Sequence, residues 1–182
     1  MSSLGQRMSA VAQWICRLRV AVIVIALGMV PGYAQDLSGG PAIGPETNLP
    51  LPRFVSLRAN EANVRRGPSL SHRIDWVFKR RDMPLQIIAE YGHWRRVIDE
   101  DGQGGWVHYR MLSGARTVVL QEEAVLHSRP DPDALENALL ERGVVARLGD
   151  CTIDWCELTA GGYRGWALKA SLWGVDPAEI RE

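Results

Sequence analysis

"GGWVHYRMLSG" at 104–114 and "RGWALKASLWG" at 164–174 decide how this chain is read. Both carry Gly-Trp, then a small or β-branched apolar residue, then Leu two places before a closing Gly. Working outward from them, 75–98 can be set on 136–159 without a gap. Trp94 then falls on Trp155, Val97 on Leu158, Ile87 on Leu148 and Arg81 on Arg142. With one indel, "VRRGPS" at 64–69 meets "LHSRPD" at 126–131. Self-similarity at a period of about 60 residues marks a duplicated structural unit.

Each copy reads as short strands cut by turn residues. "FVSLRA", "ANVRRG", "IDWVFKR", "LQIIAEY", "HWRRVID" and "GGWVHY" are each of strand length, and several alternate apolar with polar residues. Val64, Val77, Leu85, Ile87 and Val97 are the expected inward positions. Two units of five or six strands fit two tandem small β-barrels better than one sandwich. Each unit is near the lower size limit for folding alone, so the two should pack together. The fold class is all-β, with barrel one over 53–120, barrel two over 121–176, and a tail at 177–182 expected as one helical turn.

The N-terminal part has a different character. Arg7, Arg17 and Arg19 precede the apolar run "VAVIVIALGMV" at 20–30, and small residues precede a cut after Ala34. This is the three-part pattern of a secretory signal over 1–34; the run is short for a bilayer span, which takes about 20 residues, so no stable membrane span is expected after cleavage. Residues 36–52, "DLSGGPAIGPETNLPLP", have three Gly and four Pro and no apolar period. They are expected as a disordered, extended linker over 35–52. The full chain carries 21 Lys+Arg and 21 Asp+Glu. Cleavage removes three arginines and no acid, leaving a slightly acidic protein. That argues against a nucleic-acid binder, which usually shows a strong basic excess.

The order of these motifs resembles the bacterial SH3-like (SH3b) domain, in the variety found in exported proteins of Gram-negative bacteria. The marks are "NVRRGPS" at 63–69, Trp76-Val77, "MPLQII" at 83–88, "HWRRV" at 93–97, "GWV" at 105–107 and "MLSG" at 111–114. In the second copy they are "DWCEL" and "YRGWALKASLWG". The resemblance runs from Arg53 to about Val175 and implies a partly open barrel of about five strands. It also implies a binding or scaffolding module in place of a catalyst, with peptidoglycan or an envelope protein as partner and a periplasmic or secreted location. A structural or regulatory subunit for a separately encoded envelope enzyme or secretion component is the alternative. Where eukaryotic SH3 domains continue with Pro after the Gly-Trp strand, His108 stands here, so PxxP recognition is not expected.

No residue pattern points to catalysis, and neither a cofactor nor a metal site is expected. His72, His93, His108 and His127 fall at loops or strand ends, without HxxxH or HExxH spacing. Asp99-Glu100-Asp101 reads as a turn tip. The candidate ligand contacts are Trp76, Trp94, His108, Tyr109 and Arg66, because aromatic side chains offer large contact area and stack on sugars and peptides. Trp106 and Trp166 are expected to pack instead. Lys79-Arg80-Arg81 reads as a basic loop, and "ANVRRGPS" as the entering strand and first turn of a barrel, with anion binding by Arg65 and Arg66 as the alternative reading of its paired arginines.

The cysteines follow from the repeat. Cys16 lies in the signal segment, leaving Cys151 and Cys156 around a four-residue turn. Their counterparts are Glu90 and Arg95, expected as an exposed ion pair, which contributes about 0–1 kcal/mol. Residues opposite each other across a hairpin interact as pairs, so a Cys151–Cys156 disulfide is expected to replace that pair. It should stabilise by about 2 kcal/mol on the chain-entropy model. A redox pair would read Cys-x-x-Cys and zinc would want four ligands. Thiol alkylation of the exported, non-reduced protein should label no cysteine of the mature chain; two labelled thiols would refute the pairing.

Overall fold

The computed structural model describes residues 42–182; the expected signal segment and the first part of the linker lie outside them. The first sheet is built from β3 (Arg53–Leu57), β4 (Ala62–Arg65), β5 (Ile74–Phe78), β6 (Pro84–Tyr91), β7 (Trp94–Ile98), β8 (Gly104–His108) and β9 (Leu112–Ser113), preceded by a hairpin of β1 (Ala42–Ile43) and β2 (Pro50–Leu51). The second is built from β10 (Thr117–Leu120), β11 (Ala124–His127), β12 (Glu136–Leu140), β13 (Val145–Cys151), β14 (Trp155–Ala160), β15 (Tyr163–Leu168) and β16 (Leu172–Trp173). The strand orders are β5-β4-β8-β7-β6-β3-β9 and β12-β11-β15-β14-β13-β10-β16. Element for element these are the same sheet, so the duplication read from the sequence is a duplication of fold. β10, which pairs with β13 and β16, adds a strand from Thr117 to the second sheet.

Alternation sets the interior. Val64, Leu85, Ile87, Val97 and Val107 fill barrel one, and Leu126, Leu148, Leu158 and Ala167 fill the same places in barrel two. Val77 is the exception among the expected inward residues: it is exposed. It pairs with exposed Asn63 on the outer face, while Phe78, opposite buried Ala62, takes the interior position. Strand residues alternate faces, so Phe78 and Val77 cannot both point inward. Register shifts at Val64/Arg65 and Ile87/Ala89, matched at Leu126/His127 and Leu148/Cys151, bend each sheet around its core.

The Gly-Trp motif has a steric reason. At Gly105 an added Cβ would lie 2.7 Å from the Arg65 carbonyl oxygen, and at Gly165 2.8 Å from that of His127. Here β4 crosses β8, and β11 crosses β15, too closely for a side chain. A single bridge joins each pair, Arg65 to Trp106 and His127 to Trp166.

The expected linker is not wholly a linker. Residues 42–51 fold into the β1–β2 hairpin, clamped by Glu90. The Glu90 side chain is fully buried. It accepts hydrogen bonds from Thr47 Oγ1 (2.7 Å), from the backbone N–H groups of Glu46 and Thr47 (3.0 Å each), and from Arg53 Nη2 (2.6 Å). Arg95 Nε stands 3.4 Å away. The Glu90–Arg95 pair therefore exists but is buried, where an exposed one was expected, and Arg53 makes the shorter contact. The hairpin supplies donors that no alignment of the two repeats contains. At the same register position in barrel two, Cys151 and Cys156 form the expected disulfide, with S–S at 2.06 Å. The C-terminal residues are not helical: Arg181 bridges Cys151 in extended form, and Lys169 Nζ donates to the carbonyls of Thr152 (2.6 Å), Pro177 (3.3 Å) and Glu179 (2.8 Å).

The barrels meet along β3, β6 and β10. The Ser56 and Thr117 hydroxyls lie 2.5 Å apart, with the Ala115 and Asp82 carbonyls 2.6 and 2.7 Å from them. Phe54 meets Trp173 edge-on at 5.3 Å. Arg80, from the expected basic loop, donates to the Gly143 carbonyl at 2.9 Å and so serves this seam.

Burial alone would raise the Glu90 carboxyl. The Thr47 and Arg53 side chains and the Glu46 and Thr47 N–H groups outweigh it and hold the group at about 2, against 4.5 ordinarily. The folded value lies below the unfolded one. Its stabilising contribution is thus complete above about pH 4.5 and is lost as pH falls toward 2. Glu90→Gln should cost about 2–3 kcal/mol at pH 7. Thermal melts should show the variant and parent converging as pH drops toward 2; a gap that stays constant with pH would contradict this.

Candidate functional site

Trp94 on β7 and His108 on β8 are direct cross-strand partners. They project side by side from one face, and their rings meet edge-on at 5.6 Å. Together they form one wall of an open cleft of about 380 Å³. The opposite wall comes from Asn63 and Arg65 on β4 and from Leu70 in the following loop, and Met111 closes one end. Arg65 is fixed by donating from Nη1 to the carbonyls of Leu70 (3.0 Å) and His72 (2.7 Å). The loop that carries Leu70 is thereby held over the sheet.

The aromatic wall continues past the cleft. Tyr109 stacks on His108 at 5.0 Å, and His93 lies 5.6 Å from Tyr109 and 5.9 Å from His108. The Tyr109 N–H donates to the His93 carbonyl at 2.9 Å, tying the β8 end to the β6–β7 turn. Burial pushes the His108 imidazole below its ordinary range, and the neighbouring charges of His93, Arg110 and Arg95 push it further down. Its Nδ1 accepts from the Arg110 N–H at 3.3 Å. The cleft thus offers an indole face, an imidazole, an amide, a guanidinium and, from exposed Glu61 at its edge, a carboxylate. It holds no nucleophile–base pair.

Of the five residues expected to contact a ligand, Trp94 and His108 share this cleft and Tyr109 adjoins it. Trp76 does not: it sits on the edge strand β5, 49% exposed, and lines no part of the cleft. Arg66 belongs to a neighbouring hollow, where it binds Asp75. Trp106 and Trp166, expected to pack, are half-buried. Sequence reasoning missed Asn63, Leu70 and Met111. Leu70, an apolar residue alone in the polar run "PSLSHR" and 76% exposed, was the available signal.

Barrel two varies the same design. His127 meets Trp155 edge-on at 5.5 Å, but Leu168 stands where His108 does, and Lys169 replaces Tyr109. Lys169 holds the C-terminal residues. A larger hollow of about 540 Å³ there is walled by Ile153, Leu168, Val175 and Pro177 and carries no aromatic residue.

A model of the bacterial SH3 domain matches the chain twice, at residues 58–114 and 121–174. No curated protein matches it. Among solved structures, NlpC2 and NlpC1 from Trichomonas vaginalis are similar at 16% and 15% identity, each with a TM-score of 0.32. These matches cover 69% and 73% of this chain and 50% and 51% of theirs, so the chain spans about half their length.

Proposed function

This chain belongs to the bacterial SH3 domain family, and from that premise we propose that it is an exported, non-catalytic binding protein whose barrel-one cleft takes a peptidoglycan peptide. Bacterial SH3 domains are usually non-catalytic binding modules. The observation that carries the reading is the Trp94–His108 wall facing Leu70 and Asn63 across an open cleft. An extended peptide fits such a slot: its aliphatic side chains cover the indole and Leu70, while its amides meet His108 Nε2 and Asn63. The cleft is open enough to receive one strand of a polymer without enclosing it. The Cys151–Cys156 disulfide fits an oxidising compartment, which is where the signal pattern at 1–34 would deliver the protein. A cleft of this kind also suits a peptide segment of an envelope protein, the outcome to be separated by experiment.

Purified murein sacculi provide the test. The protein without residues 1–34 should be retained saturably. Trp94→Ala and His108→Ala should each weaken retention by about tenfold or more, the range of a central aromatic contact. Absence of retention would overturn the peptidoglycan reading in favour of a protein partner. Unchanged retention by Trp94→Ala would overturn the assignment to this cleft.

A further inference from the structure

Arg65 also walls a second hollow of about 340 Å³, shared with Arg66, Asp75, Arg96, Ile98 and Trp106 and with Gly104 and Gly105. Three guanidinium groups face one carboxylate. Asp75 is already engaged: Arg66 Nε reaches it at 2.9 Å and Arg73 at 2.6 Å. Arg65 donates to two carbonyls, which orient it without neutralising it. Arg96 has no carboxylate within ion-pair distance among the described residues. The hollow therefore keeps an uncompensated positive charge beside an indole.

Barrel two shows that the fold does not require this charge. Arg96 is the cross-strand partner of Trp106, and the residue paired with Trp166 in the same way is Glu157. Glu157 is closed by Arg164, whose Nε and Nη2 donate to its two oxygens at 2.7 and 2.6 Å. Asn137 occupies the bulge position that Asp75 occupies in barrel one. One copy of a single architecture is thus internally neutralised and the other is left cationic.

The geometry points to an oxyanion site in barrel one, in which Arg96, with Arg65 and Arg66, binds a carboxylate or phosphate group carried by a ligand. Planar guanidinium groups present parallel N–H donors that match both anions. Asp75 is the built-in carboxylate of the site and competes with the incoming one for Arg66. The site shares Arg65 with the aromatic cleft, but neither Trp94 nor His108 lines it, so Arg96 and Asp75 variants test it apart from them.

Inorganic phosphate and acetate, titrated separately at constant ionic strength in chloride, serve as probes, with the Trp106 indole resonance as the readout. A saturable shift is expected, and the tighter of the two anions identifies the ligand group as phosphoryl or carboxyl. Arg96→Glu, which restores the barrel-two charge, should weaken binding by about tenfold or more. Arg96→Gln should weaken it less, and Asp75→Asn should tighten it. The proposal is overturned by a shift that does not saturate or that chloride reproduces. Wild-type affinity in both Arg96 variants, or an Asp75→Asn variant that binds no tighter, overturns it equally. Sacculus retention is a separate measurement, so failure of either reading leaves the other standing.

Discussion

The close crossing of β4 over β8, repeated by β11 over β15, is the constraint on which the two barrels depend. At Gly105 and Gly165 the opposing carbonyl oxygen leaves no room for a Cβ. A strand pair brought this near closes the sheet on itself and sets the adjacent Trp106 or Trp166 opposite the end of β4 or β11. Everything functional in barrel one is arranged around that crossing. Arg65, at the crossing, walls both hollows, and the bulge opposite it places Asp75 of β5 in the second of them. A β-bulge next to a ligand surface is a common way of turning one side chain out of register without losing the sheet.

The strand pattern and the duplication were legible because they are repeated local signals. Gly-Trp and the Leu-x-Gly ending recur at fixed spacing, and the register that aligns Glu90 with Cys151 and Arg95 with Cys156 is the register the sheets adopt. The failures were positions governed by neighbours far along the chain. Val77 reads as an inward β-branched residue, yet the parity of β5 gives the core to Phe78. The stretch at 42–51 reads as linker because nothing within it forms a core; its order comes from one buried carboxylate more than forty residues away. Trp76 and Trp94 are alike in composition, and only the sheet order separates an edge-strand tryptophan from one facing a cleft.

The two repeats divide one architecture between different tasks. At the β6–β7 hairpin end, barrel one uses Glu90 to hold the N-terminal hairpin, and barrel two uses a disulfide whose Cys151 backbone pairs with Arg181. After the Gly-Trp strand, barrel one presents His108 and Tyr109 as exposed or half-exposed aromatics. Barrel two substitutes Leu168 and Lys169 and spends the lysine on its own C-terminal residues. The second copy thereby occupies with its own chain part of the surface that the first leaves open. The seam of Ser56, Thr117, Phe54 and Trp173 joins barrel two to barrel one.

Charge follows the same division. Surface ion pairs such as Arg164–Glu157 contribute little to stability, so the loss of that pair costs barrel one little where it carries Arg96 in place of Glu157. An arginine held beside a half-buried indole, with its carboxylate counterpart missing, is a cost in self-repulsion with Arg65 and Arg66 that a neutral residue would avoid. A protein that retains such a group at the crossing which positions its aromatic cleft has a cationic and an aromatic surface joined through one fixed side chain. Arg65 is that joint. Its two carbonyl bonds keep it in place whichever hollow is filled, so a ligand that spans both meets a surface already set in its binding geometry, which reduces the ordering cost of association.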